Sequence, residues 1–219
     1  MPPSMAAAPQ EARTGSATSK RCCDSAGARL PCEVVDCRLS TERLRVRPWR
    51  VEDAEAALAI YGIPDVTGWL TPATARIGDL PAMRAVLHAW VEMQPNLLPP
   101  RGRWAIERIA DQGVVGGLAI RLLPPYRVDL ELSFQLRLEE WGKGYATEAA
   151  GALIGWAFTQ DVAELFAVVL PHNTRAIATI QRLGMEWVGE TTKYYEHTLQ
   201  VYRIRPTDVP RHGGVSMKP

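Results

Sequence analysis

Between positions 128 and 136 apolar and polar residues alternate without a break. Val128, Leu130, Leu132, Phe134 and Leu136 fall on one side, and Asp129, Glu131, Ser133 and Gln135 on the other. A period of two predicts a strand with one face on a core and the other toward something polar. The period then changes. Ala146, Ala149, Ala150, Leu153, Ile154, Ala157 and Phe158 recur at the three- and four-residue spacing of an amphipathic helix. The continuous apolar run 165–170 reads as a strand buried on both faces. Together these segments predict a strand, crossover helix, strand unit.

Upstream, segments 104–110 and 114–123 are joined by the turn Asp111-Gln112-Gly113. The Pro124-Pro125 break separates them from 128–136, and the three predict an antiparallel meander. Before them, Leu44, Val46 and Trp49 alternate with arginines in the manner of an edge strand. Segment 51–62 predicts a helix opening on Glu52 and Asp53. A second helix is expected over 81–93, where Pro81 suits the first helical position, while the rest of 64–100 is weakly patterned. After the buried run, a short helix over 174–183 ends at Gly184, placed as a left-handed cap. Two strands near 186–192 and 198–205 close the domain.

A chain of 219 residues predicts one domain plus tails. Residues 1–38 are rich in Ala, Ser, Pro and Gly, without periodicity or the apolar stretch of a secretory signal. They are expected to be a disordered extension, followed by a folded domain over 39–207 and a flexible tail over 208–219. The formal net charge of +1 gives no electrostatic footprint for nucleic acid or an acidic membrane surface. No apolar run reaches the length of about 18 residues that a membrane helix needs. Cys22, Cys23, Cys32 and Cys37 all fall within the extension, with no histidine beside them and no CxxC spacing. No metal site is expected, and a cysteine-free core fits a reducing, cytoplasmic compartment.

The segment that carries chemistry is Trp141-Gly142-Lys143-Gly144-Tyr145-Ala146-Thr147, between the alternating strand and the amphipathic helix. Two glycines one residue apart let backbone pass close to a ligand. The helix start that follows offers unpaired N–H groups and a positive dipole end, which suits a pyrophosphate. Glycine in a strand-to-helix turn serves structure equally well. The segment is not a P-loop, because no Gly-Lys-Ser/Thr closes it, and it is not a dinucleotide fingerprint, because the strand before it belongs to a meander.

The stretch 132–150 (LSFQLRLEEWGKGYATEAA), with 170–185 (LPHNTRAIATIQRLGM), resembles the RimJ/RimL-type branch of the GNAT N-acetyltransferases, as do the opening 41–54 (TERLRVRPWRVEDA) and the closing 194–205. The resemblance implies the GNAT fold, an α+β arrangement with a central mixed, mostly antiparallel sheet flanked by helices in three α/β/α layers. It implies acetyl-CoA as co-substrate and no metal. Trp141 stands where the family loop begins with Gln or Arg, and Gly144 and Ala146 match its later positions. By the same likeness the backbone of Gly142, Lys143, Gly144, Tyr145, Ala146 and Thr147 would hold the pyrophosphate. Pantetheine would lie along Phe134, Gln135 and Leu136 like an added strand. Asn173 matches an asparagine that contacts the pantetheine arm, a role compatible with a helix N-cap. Ala176 stands where many relatives carry a serine, which leaves no general acid assigned.

Acetyl transfer needs a neutral amine, hence a proton acceptor. Glu131, on the polar face of the cofactor strand, is the candidate, and His197 is the runner-up. The expected partners are acetyl-CoA and an amine acceptor, either a protein N-terminus or a small molecule. No nucleic acid or membrane is expected, and the chain is expected as a monomer or homodimer. The acceptor pocket is expected from segment 64–100 and the Tyr194-Tyr195 loop. The competing expectation is a non-catalytic acyl-CoA-binding module on the same fold.

Overall fold

The computed structural model describes residues 37–69, 76–195 and 197–209. The expected extension, apart from its last two residues, and the tail from position 210 lie outside the described residues, as do Cys22, Cys23 and Cys32. Cys37 is described and buried at 4% exposure, so the expectation of a cysteine-free core is corrected. It belongs to the same core cluster as Leu39, Leu44 and Val46 of the first strands.

Eight strands form one sheet in the order β1-β2-β3-β4-β5-β6-β8-β7. They are β1 (Leu39–Ser40), β2 (Leu44–Pro48), β3 (Gly102–Arg108), β4 (Val114–Leu122), β5 (Leu130–Leu136), β6 (Leu165–Val169), β7 (Glu186–Thr191) and β8 (Leu199–Ile204). The helices are α1 (Ala54–Tyr61), α2 (Pro64–Thr67), α3 (Leu80–Met93), α4 (Tyr145–Phe158) and α5 (Thr174–Arg182). All neighbouring strands run antiparallel except β5 and β6, which the crossover α4 joins in parallel. The expected mixed sheet is therefore present.

Alternation along the strands divides the core between two layers of helices. Trp104 of β3 points into the cluster built with α4, where its ring meets Trp156 edge-on at 5.7 Å. The next residue, Ala105, belongs to the opposite cluster with Trp49, Ala57, Ile60, Tyr61, Met83 and Leu87 of the α1 and α3 side. Small residues Ala149 and Ala150 let α4 sit close on the sheet, where Leu153 and Ala157 are fully buried. Truncating Leu153 there to alanine belongs with substitutions that cost about 2–5 kcal/mol.

Three strand expectations need correction. β2 is not an edge, because β1 lies outside it, and its Arg47 is buried at 4% exposure. That guanidinium is held by Glu107 at 2.6 Å and by both oxygens of Asp53 at 2.8 and 2.9 Å, so a charge that the alternation alone places at the surface is buried by its partners. Val128 does not join the core. β5 begins at Leu130, and Val128 is 76% exposed. β6 is fully buried on one face only, through Leu165, Ala167 and Val169, while Phe166 and Val168 are half-buried against a smaller cluster around Leu123 and Tyr194.

Candidate active site

Strand β5 stays in register with β4 from Leu130 to Leu136. With β6 it pairs at one position, Glu131↔Phe166. Beyond Glu131 the β6-facing edge of β5 is therefore open over 132–136, and the backbone groups it presents before the Leu136 carbonyl are free for a ligand. At the far end the Trp141 indole Nε1 donates to the Leu136 carbonyl at 3.1 Å, which ties the following loop to the strand.

That loop ends in two left-handed glycines, Gly142 (φ 78°) and Gly144 (φ 80°), the second being the N-cap of α4. Only glycine adopts this conformation without strain. Nothing lies within 4 Å of the place a Cβ on Gly142 would take. No side chain caps α4, so the amides of Tyr145, Ala146 and Thr147 point out of the helix unclaimed by a cap. Lys143 does not stand free beside them. Its Nζ pairs with Glu140 at 2.9 Å, and Arg108 reaches the other oxygen of Glu140 at 3.0 Å. The Lys143 hydrogen bond holds the Glu140 carboxyl below its ordinary range, with Arg108 adding to it against the effect of burial.

Arg43 braces the loop from outside, a role not read from the sequence. Its Nη1 donates to the Lys143 carbonyl at 3.0 Å, its Nε to Glu148 at 2.7 Å, and its guanidinium lies 4.8 Å over the Tyr145 ring. Thr41 donates to Glu148 at 2.6 Å. Burial opposes ionisation of Glu148, but the hydrogen bonds from Thr41 and Arg43 prevail and keep its carboxyl below the ordinary value. Glu148 also stands in the first turn of α4, where negative charge is favoured. From the other side, Arg175 in the first turn of α5 lies 4.9 Å over the Trp141 ring.

Glu131 is 2% exposed. Its Oε2 accepts from Arg121 Nε at 2.7 Å and from the Tyr195 hydroxyl at 3.1 Å. Arg121 is its direct cross-strand neighbour on β4, so strand register creates the pair. Its second oxygen, Oε1, has no hydrogen-bond partner among the described residues. Gln135, four positions on and on the same face, accepts from the Tyr61 hydroxyl at 3.3 Å. Burial pushes that phenol up to about 12. A Cβ on Gly117 would overlap the Tyr61 oxygen, so glycine there makes the space in which Tyr61 meets β5. Phe134 faces the other way, partly buried against the α4 cluster.

Asn173 caps α5 through its side-chain oxygen, which accepts from the Ala176 amide at 3.2 Å. His197, the runner-up base, is exposed between β7 and β8 and makes no side-chain hydrogen bond among the described residues. Tyr194 is buried and donates to Asp129 at 2.5 Å, a structural role, whereas Tyr195 reaches Glu131. Among the described residues no group of three His, Cys, Asp or Glu side chains could hold a metal ion.

A profile for the acetyltransferase (GNAT) domain matches residues 43–186. Among curated proteins the chain is similar to the uncharacterized N-acetyltransferase p20 of Bacillus licheniformis, 28% identical over 159 residues that span 71% of this chain and 86% of that one. Among solved structures, an acetyltransferase from Agrobacterium tumefaciens str. C58 aligns with a TM-score of 0.62 at 26% identity, over 81% of this chain and 99% of its own. Mycobacterium smegmatis RimJ in complex with CoA-disulfide aligns with a TM-score of 0.65 at 18% identity, over 81% and 91% of the two chains. That last likeness speaks to the fold.

Proposed function

The chain belongs to the GNAT acetyltransferase family, with RimJ among its structural neighbours, and from that premise we propose that it transfers the acetyl group of acetyl-CoA directly to a primary amine on a protein N-terminus or a small molecule. The observation that carries this reading is the pair of left-handed glycines ahead of an uncapped helix start, beside an open strand edge. The fit is specific in chemistry: the backbone of 142–147 offers N–H donors and a positive dipole end to phosphate oxygens, and the edge of Phe134, Gln135 and Leu136 offers a ladder to an amide-bearing arm. When bound, acetyl-CoA would supply an acetyl group activated as a thioester.

The chain's own part is to bind, orient and move protons. Arg175, stacked on Trp141, stands where it adds positive charge near the phosphate loop. Asn173 holds the first turn of α5 in place. Glu131 takes a proton from the incoming ammonium, directly or through one water, at Oε1, while Arg121 and Tyr195 fix the carboxylate through Oε2. Backbone N–H groups near 134–136 are the donors for negative charge developing on the reacting carbonyl.

The test is calorimetric titration of the full chain with acetyl-CoA, with NAD and ATP as controls, beside the variant Gly144→Glu. Glutamate at 144 strains the left-handed position and puts negative charge in the cradle. Saturable binding of acetyl-CoA alone, lost in the variant, is the expected result. Equal binding by the variant would remove the phosphate loop from the reading.

A further inference from the structure

On the α1 and α3 side of the sheet, Arg103 stands apart from the other buried or half-buried cations. Arg47 has Glu107 and Asp53, Arg108 has Asp111 and Glu140, and Arg121 has Glu131. Arg103 is half-buried and stacks over Trp90 of α3 at 4.8 Å, and its guanidinium has neither a hydrogen-bond nor an ion-pair partner among the described residues. Its neighbours are Arg121, Tyr61, Glu131 and Tyr195, and burial together with the Arg121 charge disfavours its protonated form. An arginine stays charged in spite of this, so the molecule keeps a partly desolvated cation without an anion. A half-buried guanidinium lacking an acceptor points to a ligand that brings acceptor oxygens.

The register places this cation relative to the proposed chemistry. Arg103 is opposite Ala119, and Ala119 is opposite Ser133 of β5, one alternation from the Arg121–Glu131 pair. Arg103 thus lies two strands from β5, about 10 Å between backbones, on the face that Glu131 shares. We infer that the acceptor is an amine that also carries a carboxylate, with Arg103 receiving the carboxylate and Glu131 facing the amine several bonds away. The inference rests on the acetyltransferase reading above and names the acceptor class for that site. The guanidinium fork matches a carboxylate by two parallel hydrogen bonds, and its stack on Trp90 holds the fork in orientation.

The test uses acceptor pairs that differ only in charge: straight-chain ω-amino acids of three to six carbons, each beside its primary amide, assayed with acetyl-CoA. The acids are expected to exceed their amides in kcat/KM by on the order of 10- to 100-fold, the loss set by a charge-assisted hydrogen bond. In Arg103→Gln that preference is expected to disappear through KM, with acetyl-CoA binding by calorimetry unchanged, and Arg103→Lys is expected to restore part of it. Equal use of acids and amides, preference for the amides, or an acid preference that survives in folded Arg103→Gln would overturn the assignment while leaving amine acetylation standing. Turnover of no amine by protein that binds acetyl-CoA would overturn both, and absence of acetyl-CoA binding would locate the failure in the cofactor reading.

Discussion

Replacing Arg43 by methionine keeps the length of the side chain and removes every polar contact by which it holds the loop before α4. Three interactions go: the donation to the Lys143 carbonyl at 3.0 Å, the paired contacts to Glu148 at 2.6 and 2.7 Å, and the stack on Tyr145 at 4.8 Å. The Arg43 side chain is 45% exposed, so the ion pair is largely screened and contributes roughly 0.5–1 kcal/mol. The hydrogen bond to a carbonyl adds about 1 kcal/mol, and the stack about 0.5 kcal/mol. Methionine recovers part of the packing on Tyr145, and the backbone N–H of residue 43 still reaches Glu148 at 3.0 Å. The net loss is about 1–2 kcal/mol, a fall in Tm of roughly 2–8 °C for a domain of this size. The larger consequence is local. With the Lys143 carbonyl released, the two left-handed glycines lose their external support, and acetyl-CoA affinity is expected to drop about 10-fold. Thermal unfolding and calorimetric titration of the same sample separate the two effects. A lowered Tm with unchanged affinity would refute the claim that Arg43 sets the loop and leave it a support for α4 alone.

Glu131→Gln keeps an oxygen for Arg121 and Tyr195 and removes the proton acceptor, so turnover is expected to fall about 100-fold or more with acetyl-CoA affinity retained. A fully active variant would take Glu131 out of the mechanism. Arg47→Met takes the ion-pair partner from Asp53 and leaves Glu107 with Arg45 alone, and is expected to cost about 2–4 kcal/mol in denaturant unfolding, a cost that a value below about 1 kcal/mol would contradict. The carboxyls of Glu148, Glu140 and Asp129 are all held below their ordinary values in the fold, so their contribution is complete above the ordinary glutamate value of 4.5 and is lost as pH falls through the depressed ones. Unfolding midpoints measured downward from pH 6 should decline most steeply below that point. In Glu148→Gln the decline should be shallower.

Periodicity made the secondary elements legible. The α4 stripe, the meander, the Gly184 cap and both closing strands lie within a residue or two of their expected places. The glycine loop was legible because φ > 0 leaves few choices of residue. What escaped depends on pairs far apart in sequence. Arg43 and Glu148 are separated by 105 positions, and Arg47 and Glu107 by 60, so the sequence offers an arginine beside a strand and no sign of which carboxylate will meet it. Thr41 and Arg43 did lie in the opening stretch that carried the resemblance, which marked the segment without revealing its task. Cys37 and β1 were missed because a two-residue strand has no period to detect.

Strand β5 explains why one short segment serves both halves of the proposed reaction. Its alternation sends Leu132 and Phe134 toward α4, and Glu131, Ser133 and Gln135 toward α1 and α3. The last paired position with β6 is Glu131 itself. The sheet therefore opens immediately after the carboxylate, and the gap lies between the side that carries α4 with its glycine loop and the side that carries Tyr61, Arg103 and Arg121. Had β6 continued to pair through Leu136, each face would be sealed from the other. Glu131 therefore stands at the point of divergence, with Oε2 held by Arg121 and Tyr195 and Oε1 left without a hydrogen-bond partner among the described residues.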